Sequence, residues 1–398
     1  AVGAALGLAA IVLFGRAQGD ATFLLSRRGE EALDFAVPGG GTALVLGLLA
    51  AAIGFGFVAR PVARHATWAL TAGLVLFVAA MLVWATAEGS SSQTTTLVGL
   101  LNGTLRRASP LALGALAGVL CERAGIVNIA IEGHLLGGAF AGAIVAGATG
   151  NLYLGVLAGI GVGVLLGAIL AVLSIRFTVD QIVGATFINI FALGLTSYLS
   201  VQVLAEYPEL NNPGTFRLIG IPLLEDIPLL GPVLFENAFH AYAMFVLVAV
   251  VTFALFRTRW GLRVRAVGEH PSAADTVGVN VLRLRYGAVL LGGAVAGFGG
   301  TFFSLGSAGR FEENMTAGQG FIALAALIFG RWHPVGALGA ALVFGFADEF
   351  QSRLAALGSP IPSDLLLMAP YVVTLVVVAG LIGRARPPAA DGQPYRRE

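Results

Sequence analysis

Leu152-Tyr-Leu-Gly155-Val-Leu-Ala-Gly159-Ile-Gly-Val-Gly163-Val-Leu-Leu-Gly167-Ala-Ile-Leu-Ala-Val-Leu173 carries no charged side chain from end to end. Crossing a hydrocarbon core as a helix takes about 20 consecutive apolar residues, so this stretch reads as a membrane span. Its glycines recur every fourth residue, which puts Gly155, Gly159, Gly163 and Gly167 on one face and lets another backbone come close. Gly293 and Gly297 repeat the device further along the chain.

The same reading extends in both directions. Residues 1–15, 42–59, 66–87, 108–121, 129–147, 152–173, 181–200, 240–256, 286–307, 318–330, 335–347 and 364–383 are each read as a span. Composition agrees: 57% of the residues are hydrophobic and 11% charged, against about 25% charged in soluble domains. An all-α polytopic membrane protein is therefore expected. The first residue is Ala1 inside an apolar run, without a basic leader, so the start reads as trimmed rather than as a signal peptide.

All 23 basic residues are Arg. Without lysine the chain has neither a Schiff-base amine nor the lysine of a Walker phosphate loop, which excludes ATP hydrolysis by that route and argues against an enzyme. Cys121 is the single cysteine, and the five His and four Met are scattered, so neither a disulfide framework nor a metal site is expected. No cofactor and no nucleic-acid partner are expected for this chain.

Arginine accumulates in cytoplasmic loops. Arg257, Arg259, Arg263, Arg265, Arg283 and Arg285 fall in residues 257–285, which places that loop in the cytoplasm. Counting twelve crossings outward puts both termini inside, in a cytoplasmic (plasma) membrane surrounded by lipid, with residues 384–398 as a cytoplasmic tail. Two segments resemble each other: Asn128-Ile-Ala-Ile-Glu132-Gly133 and Asn314-Met-Thr-Ala-Gly318-Gln319-Gly320 each lead into an Ala-rich helix. About fifty residues after each Asn, an Asp opens a further span, Asp180 and Asp364. The helices preceding the two Asn residues run in opposite directions in this topology, so the halves, residues 108–200 and 286–383, read as inverted repeats, with a solute path near their interface.

Candidate path residues follow from cost. Asn128, Glu132 and Gly133 lie in a polar interruption of apolar sequence, and a carboxylate at mid-bilayer costs at least about 2.5 kcal/mol. Two readings of Glu132 stand: a functional group, or an interfacial acid paired locally with Glu122 and Arg123. Asn189 within Phe187-Ile-Asn-Ile-Phe191 either forms a stacking and hydrogen-bonding site for a nucleobase together with Phe187 and Phe191, or joins two helices. Asn314 and Gln319 are the counterparts in the second half. His134 reads as a packed histidine rather than a proton relay.

In the Arg-rich loop, Pro271 suits the first turn of a short helix and Gly278 its end. Ser272-Ala273-Ala274, three residues and Gly278 resemble the Glu-Ala-Ala-x-x-x-Gly loop with which membrane subunits of ABC importers dock onto their ATPases, Ser standing where that motif has Glu. Glu269 precedes the helix. The alternative is a basic loop held by anionic lipid.

With these stretches in hand, residues 109–383 resemble the permeases of the branched-chain amino acid, simple-sugar and nucleoside importer superfamily, and the nucleoside branch above all. The resemblance rests on Glu122-Arg-Ala-Gly-Ile-Val-Asn-Ile-Ala-Ile-Glu-Gly133, Asp180-Gln-Ile-Val183, Gly261-Leu-Arg-Val-Arg-Ala-Val-Gly-Glu269, Gly318-Gln-Gly-Phe-Ile-Ala-Leu-Ala-Ala326 and Gly330-Arg-Trp-His-Pro-Val-Gly336. It implies a type II ABC importer fold with about ten core helices in inverted repeats, residues 1–105 being extra helices ahead of a permease domain at 106–383. It further implies a cytoplasmic ATP-binding subunit carrying ATP and magnesium, a second permease in a heterodimer, and an extracytoplasmic solute-binding lipoprotein. Nucleosides are the expected cargo; simple sugars or branched-chain amino acids are the alternative. A secondary transporter fits less well, because Glu132 is the one strong intramembrane acid.

Overall fold

The computed structural model of this chain describes residues 20–24, 34–59, 66–88, 95–227, 230–356, 368 and 386–396. The expected span at 1–15 lies outside them, as does the span at 364–383 apart from Met368. The chain forms two compact units. One comprises residues 1–104, 220–236 and 346–383, so it takes up more than the N-terminal stretch expected to stand apart. The other comprises residues 105–219, 237–345 and 384–398.

In the first unit, strand β1 (Asp20–Leu24) pairs antiparallel with β2 (Asp34–Pro38), Asp20 opposite Pro38. β3 (Thr95–Thr96) adds to β1 in parallel. This small sheet is a minor addition to a chain that is otherwise mostly helical, as expected of an all-α polytopic membrane protein. Thr22, Phe23, Phe35 and Val37 are β-formers, and the run is too short and too polar to span. Helices α1 (Gly39–Ala59) and α2 (Ala66–Glu88) occupy the spans expected there. Trp84 is buried beside Ala21, Ala43, Ala80, Phe350 and Leu354.

The second unit holds most of α3 (Leu97–Glu122), then α4 (Ile131–Thr149), α5 (Leu152–Ala171), α6 (Gln181–Leu199), α7 (Phe239–Arg257), α8 (Arg259–Glu269), α9 (Pro271–Thr276), α10 (Val281–Thr301), α11 (Gln319–Phe329) and the first half of α12 (Pro334–Ala356). Segments Val172–Arg176, Ser200–Leu204 and Phe302–Ala308 extend α5, α6 and α10 with widened turns, in which each N–H reaches the fifth carbonyl back. Among the described residues, Ile131–Thr149, Leu152–Arg176, Gln181–Leu204, Phe239–Arg257 and Val281–Ala308 are long and apolar enough to cross a membrane. The protein is a multi-pass membrane protein.

Helix α3 starts well before the expected residue 108 and runs through Pro110. An interior proline costs about 3 kcal/mol in a free helix, and the near-complete burial of residues 108–122 offsets it. At the core, α5 crosses α4 and α10 through glycine, as its four-residue repeat requires. A Cβ on Gly163 would overlap the Gly293 carbonyl oxygen, and one on Gly297 that of Gly159. A Cβ on Gly155 would sit 2.6 Å from the Gly142 carbonyl oxygen of α4.

The ends of the unit are fixed by contacts. At one end, α3 finishes against α8, where a Cβ on Gly268 would overlap the Arg123 carbonyl oxygen, and α10 starts there, with Arg285 beside Gly125. At the other, His240 at the start of α7 meets the Thr301 hydroxyl at the end of α10, 2.9 Å away. Helices α3 and α10 therefore approach their respective interruptions from opposite ends.

Candidate functional site: a half-helix clamped at both ends

Helix α3 stops in a glycine motif. Gly125 adopts φ +82; its N–H donates to the Glu122 carbonyl at 2.9 Å, and the Ile126 N–H to that of Cys121 at 3.2 Å. This two-bond lock satisfies end carbonyls and needs a left-handed residue, a role glycine fills without strain. Residues 123–130 then run without helix. Their backbone groups find partners, as buried polar groups must: the Val127 N–H donates to Gln181 Oε1 at 2.7 Å and the Ala130 N–H to Asn128 Oδ1 at 3.1 Å.

Asn189 completes the repair from α6. Its Nδ2 donates to the Ile129 carbonyl at 3.0 Å, and its Oδ1 accepts the Gly133 N–H at 2.8 Å, capping the start of α4 from a neighbouring helix. Both ends of the amide are used on backbone. Phe187 and Phe191 stack with each other, centroids 6.0 Å apart, on the exposed side of α6. The expected aromatic and amide site is not assembled, because a residue two positions from each Phe points about 200° away around the helix.

Glu132, in the first turn of α4, reaches across to the second half. One carboxylate oxygen accepts the Thr316 hydroxyl at 2.6 Å and the Gly318 N–H at 2.8 Å; the other accepts the Gly320 N–H at 2.5 Å. These backbone donors open α11 and have no partner within that helix, and a carboxylate suits the positive end of its dipole. Glu132 pairs with neither Glu122 nor Arg123, the local alternative considered for it. A Cβ on Gly320 would overlap the Glu132 backbone nitrogen, so glycine is required there.

The far end of α11 is held by the same segment of the first half. Trp332 Nε1 donates to Glu122 at 2.5 Å, Arg123 Nε donates to the Trp332 carbonyl at 2.8 Å, and Arg123 Nη2 to that of Arg331 at 3.5 Å. Between the two clamps, Ala323 and Leu327 seat on Gly114 and Gly118 of α3, where added Cβ atoms would come within 2.9 and 2.8 Å. The stretch Glu122–Gly133 thus grips a half-helix from end to end.

Left-handed backbone gathers at the same two places. Asn314 (φ 54), Ala317 (φ 43) and Gly318 (φ 85) precede α11, and Arg331 (φ 55) and Trp332 (φ 53) follow it. Such conformations cost about 1–3 kcal/mol each outside glycine and persist only where surrounding bonds enforce them. Helix α11 is thus a short helix between two strained turns, each fastened by residues of the stretch Glu122–Gly133.

A family model described as "Branched-chain amino acid transport system / permease component" matches residues 99–380, a range that contains both clamps and the α8–α9 hairpin. The chain belongs to this family of permeases. The guanosine ABC transporter permease protein NupQ of Bacillus subtilis is 42% identical over 310 residues, covering 74% of this chain and 96% of NupQ. The nucleoside ABC transporter permease protein NupC of Lactococcus lactis is 38% identical over 313 residues, covering 75% and 97%. The putative glucose ABC transporter permease protein TsgC13 of Haloferax volcanii is 34% identical over 327 residues, covering 75% and 98%. No solved structure matches this chain significantly.

The remaining expected site residues of this permease divide by exposure. Asn128 is fully buried, its Nδ2 on Cys121 Sγ at 3.4 Å. His134 is also buried and packed, with Nδ1 on the Ala130 carbonyl. Asn314 is exposed and Gln319 half-buried. In the hairpin, Thr258 caps α8 through a 3.1 Å bond from the Gly261 N–H, Pro271 opens α9, and Gly278 (φ 83) ends its turn. Ser272 and Ala273 face outward, whereas Ala274 turns inward against Val267 and Val281. Glu269 Oε2 accepts the Ala389 N–H at 3.2 Å.

One feature gave no sequence signal. A cavity of about 610 Å³ opens at the α7-start end of the unit, lined by Asn211, Asn212, Thr215, Gly309, Arg310 and Glu312. Asn211 shapes it by exchanging two hydrogen bonds with the Phe311 backbone, at 2.9 and 2.7 Å. These residues come from two segments, 211–215 and 308–312, about a hundred residues apart in the chain.

The clamp at Trp332 is open to measurement. Trp332→Phe keeps an aromatic ring, though a smaller one, and takes the Nε1 donor away from buried Glu122, a loss of about 1–3 kcal/mol. A lower melting temperature of the detergent-purified permease is expected; an unchanged one would show that the bond contributes nothing.

Proposed function

We propose that this chain is the membrane-spanning permease subunit of an ATP-driven importer, and that it translocates nucleosides by alternating access. Arg123 carries the proposal. Its backbone carbonyl abuts Gly268 of the α8–α9 hairpin, and its side chain holds the turn after α11. A push on the hairpin is thereby delivered to a half-helix whose other end rests on Glu132. In this mechanism Glu132 latches α11, and the path runs past Asn314 and Gln319 from the polar cavity beside Arg310.

The Arg-rich hairpin faces the cytoplasm of a bacterial plasma membrane, with the C-terminal tail on the same side. ATP and magnesium belong to the cytoplasmic ATP-binding subunit that α9 contacts, and this chain hydrolyses no ATP itself. The exposed apolar face of α6, from Ile182 and Val183 through Phe187 to Tyr198, suits lipid or a second permease subunit. A solute-binding lipoprotein delivers cargo at the outer end. The similarity to guanosine and nucleoside permeases favours nucleosides; that to the putative glucose permease makes a sugar the second reading.

Two measurements test the proposal. In proteoliposomes holding the full complex, uptake of labelled guanosine should be displaced by unlabelled nucleosides and not by glucose or leucine; displacement by glucose alone would select the second reading. Ala273→Trp should abolish ATP hydrolysis stimulated by the loaded binding protein while leaving insertion intact, since Ala273 is exposed on α9. Normal stimulation would remove α9 from the docking surface. Ala274→Trp is unsuitable, because Ala274 is a packing residue.

A further inference from the structure

Helix α9 packs on its neighbours α8 and the start of α10, and the C-terminal residues 386–396 lie across all three. The Ala390 N–H donates to the Gly268 carbonyl at 2.9 Å, and Tyr395 Oη to Asp275 Oδ2 of α9 at 2.9 Å. From α10, the buried Arg285 donates through Nη1 to the Gln393 carbonyl at 3.1 Å, its guanidinium 5.9 Å from the Tyr395 ring.

The same eleven residues also reach the transport elements. At Gly125, a Cβ would come 3.0 Å from the Ala390 carbonyl, and one on Gly392 would touch Val127 at 3.5 Å. Asp391 lies beside Glu122, the acid that holds Trp332. Arg396 donates to the Thr178 hydroxyl at 3.1 Å, just ahead of α6. The tail is thus one continuous segment bonded to α9 at Asp275 and seated against the interruption whose Glu122, Arg123 and Glu132 hold α11.

We propose that the C-terminal tail is a positioning strap, in which Tyr395 and Asp391 transmit displacement of the docking helix to the interrupted segment Gly125–Val127, so that ATP hydrolysis is converted into solute movement. The inference rests on the permease reading above. A side-chain route through Arg123 and a main-chain route through the tail then act in parallel, which is how a short helix with few contacts of its own moves a larger body without tilting in place.

The experiment uses the whole complex in proteoliposomes, measuring solute taken up per ATP hydrolysed. Two variants are compared: a chain ending at Arg386, which lacks every strap bond, and Tyr395→Phe, which removes one hydroxyl and keeps the ring. Uptake per ATP should fall at least about fivefold in the first, the low end of coupling between linked sites, and about twofold in the second, which loses a single hydrogen bond, while ATP hydrolysis is retained. If the shortened chain fails to assemble, Tyr395→Phe alone decides. An unchanged ratio in Tyr395→Phe, or uptake and hydrolysis falling together, makes the tail a passive anchor and overturns the proposal. Failure of the permease reading looks different: the unaltered complex would then hydrolyse ATP and move no solute at all.

Discussion

Gly163→Leu should prevent the permease from accumulating in folded form. The residue stands where α5 meets α10 backbone to backbone, and even a single Cβ would overlap the Gly293 carbonyl oxygen. Leucine adds three further carbons with no side chain able to move aside, because the neighbours are main-chain atoms of Gly293 and Gly297. Overpacking a core ordinarily costs about 1–3 kcal/mol where side chains can adjust; here two helices must separate along their length, so the cost lies at or beyond the top of that range. Gly161 supplies the control, since a Cβ there meets nothing within 4 Å. Size-exclusion profiles of fluorescently tagged protein in mild detergent should show a monodisperse peak for Gly161→Leu and none for Gly163→Leu. Equal peaks would mean that the crossing is looser than described.

Removing the latch should be nearly as damaging. Glu132→Ala leaves the Thr316 hydroxyl and the Gly318 and Gly320 N–H groups without their acceptor in a largely buried place. Each orphaned donor costs about 1–3 kcal/mol, so a loss on the order of 3 kcal/mol or more is expected, with the strained turn at Asn314 and Ala317 released as well. Glu132→Gln retains one acceptor oxygen and should fall between the two. Thermal unfolding in detergent ranks the three proteins, and solute uptake should follow the same order. A glutamine variant that matches the parent in stability yet loses uptake would instead make Glu132 a group that meets the solute.

Much of the fold could be read from the chain because bilayer crossing imposes length and polarity on each segment separately. Spans such as 152–173 and 181–200, the close approach at Gly163 and Gly293, and the stop at Gly278 all follow from local spacing. Glu132 stood out for a related reason: a carboxylate in apolar sequence is expensive wherever it goes. What it binds was not legible, since Thr316, Gly318 and Gly320 lie on a different segment and their N–H groups are invisible in any residue alphabet. Asn189 shows the same limit. An amide in a helix announces that it needs a partner, and only the fold reveals that the partners are the Ile129 carbonyl and the Gly133 N–H.

By itself, then, the sequence determined that this is a lysine-free, multi-span membrane protein, that a helix breaks between Cys121 and Ile129, and which residues are too costly to be idle. The tertiary structure alone decided that Glu122-Arg123 and Glu132 are the two jaws of one clamp on α11, and that residues 386–396 return to the docking hairpin. The division has a physical cause. Helix formation and burial in lipid are settled within about 20 residues of chain, whereas a hydrogen bond between segments roughly 200 residues apart depends on how whole helices pack.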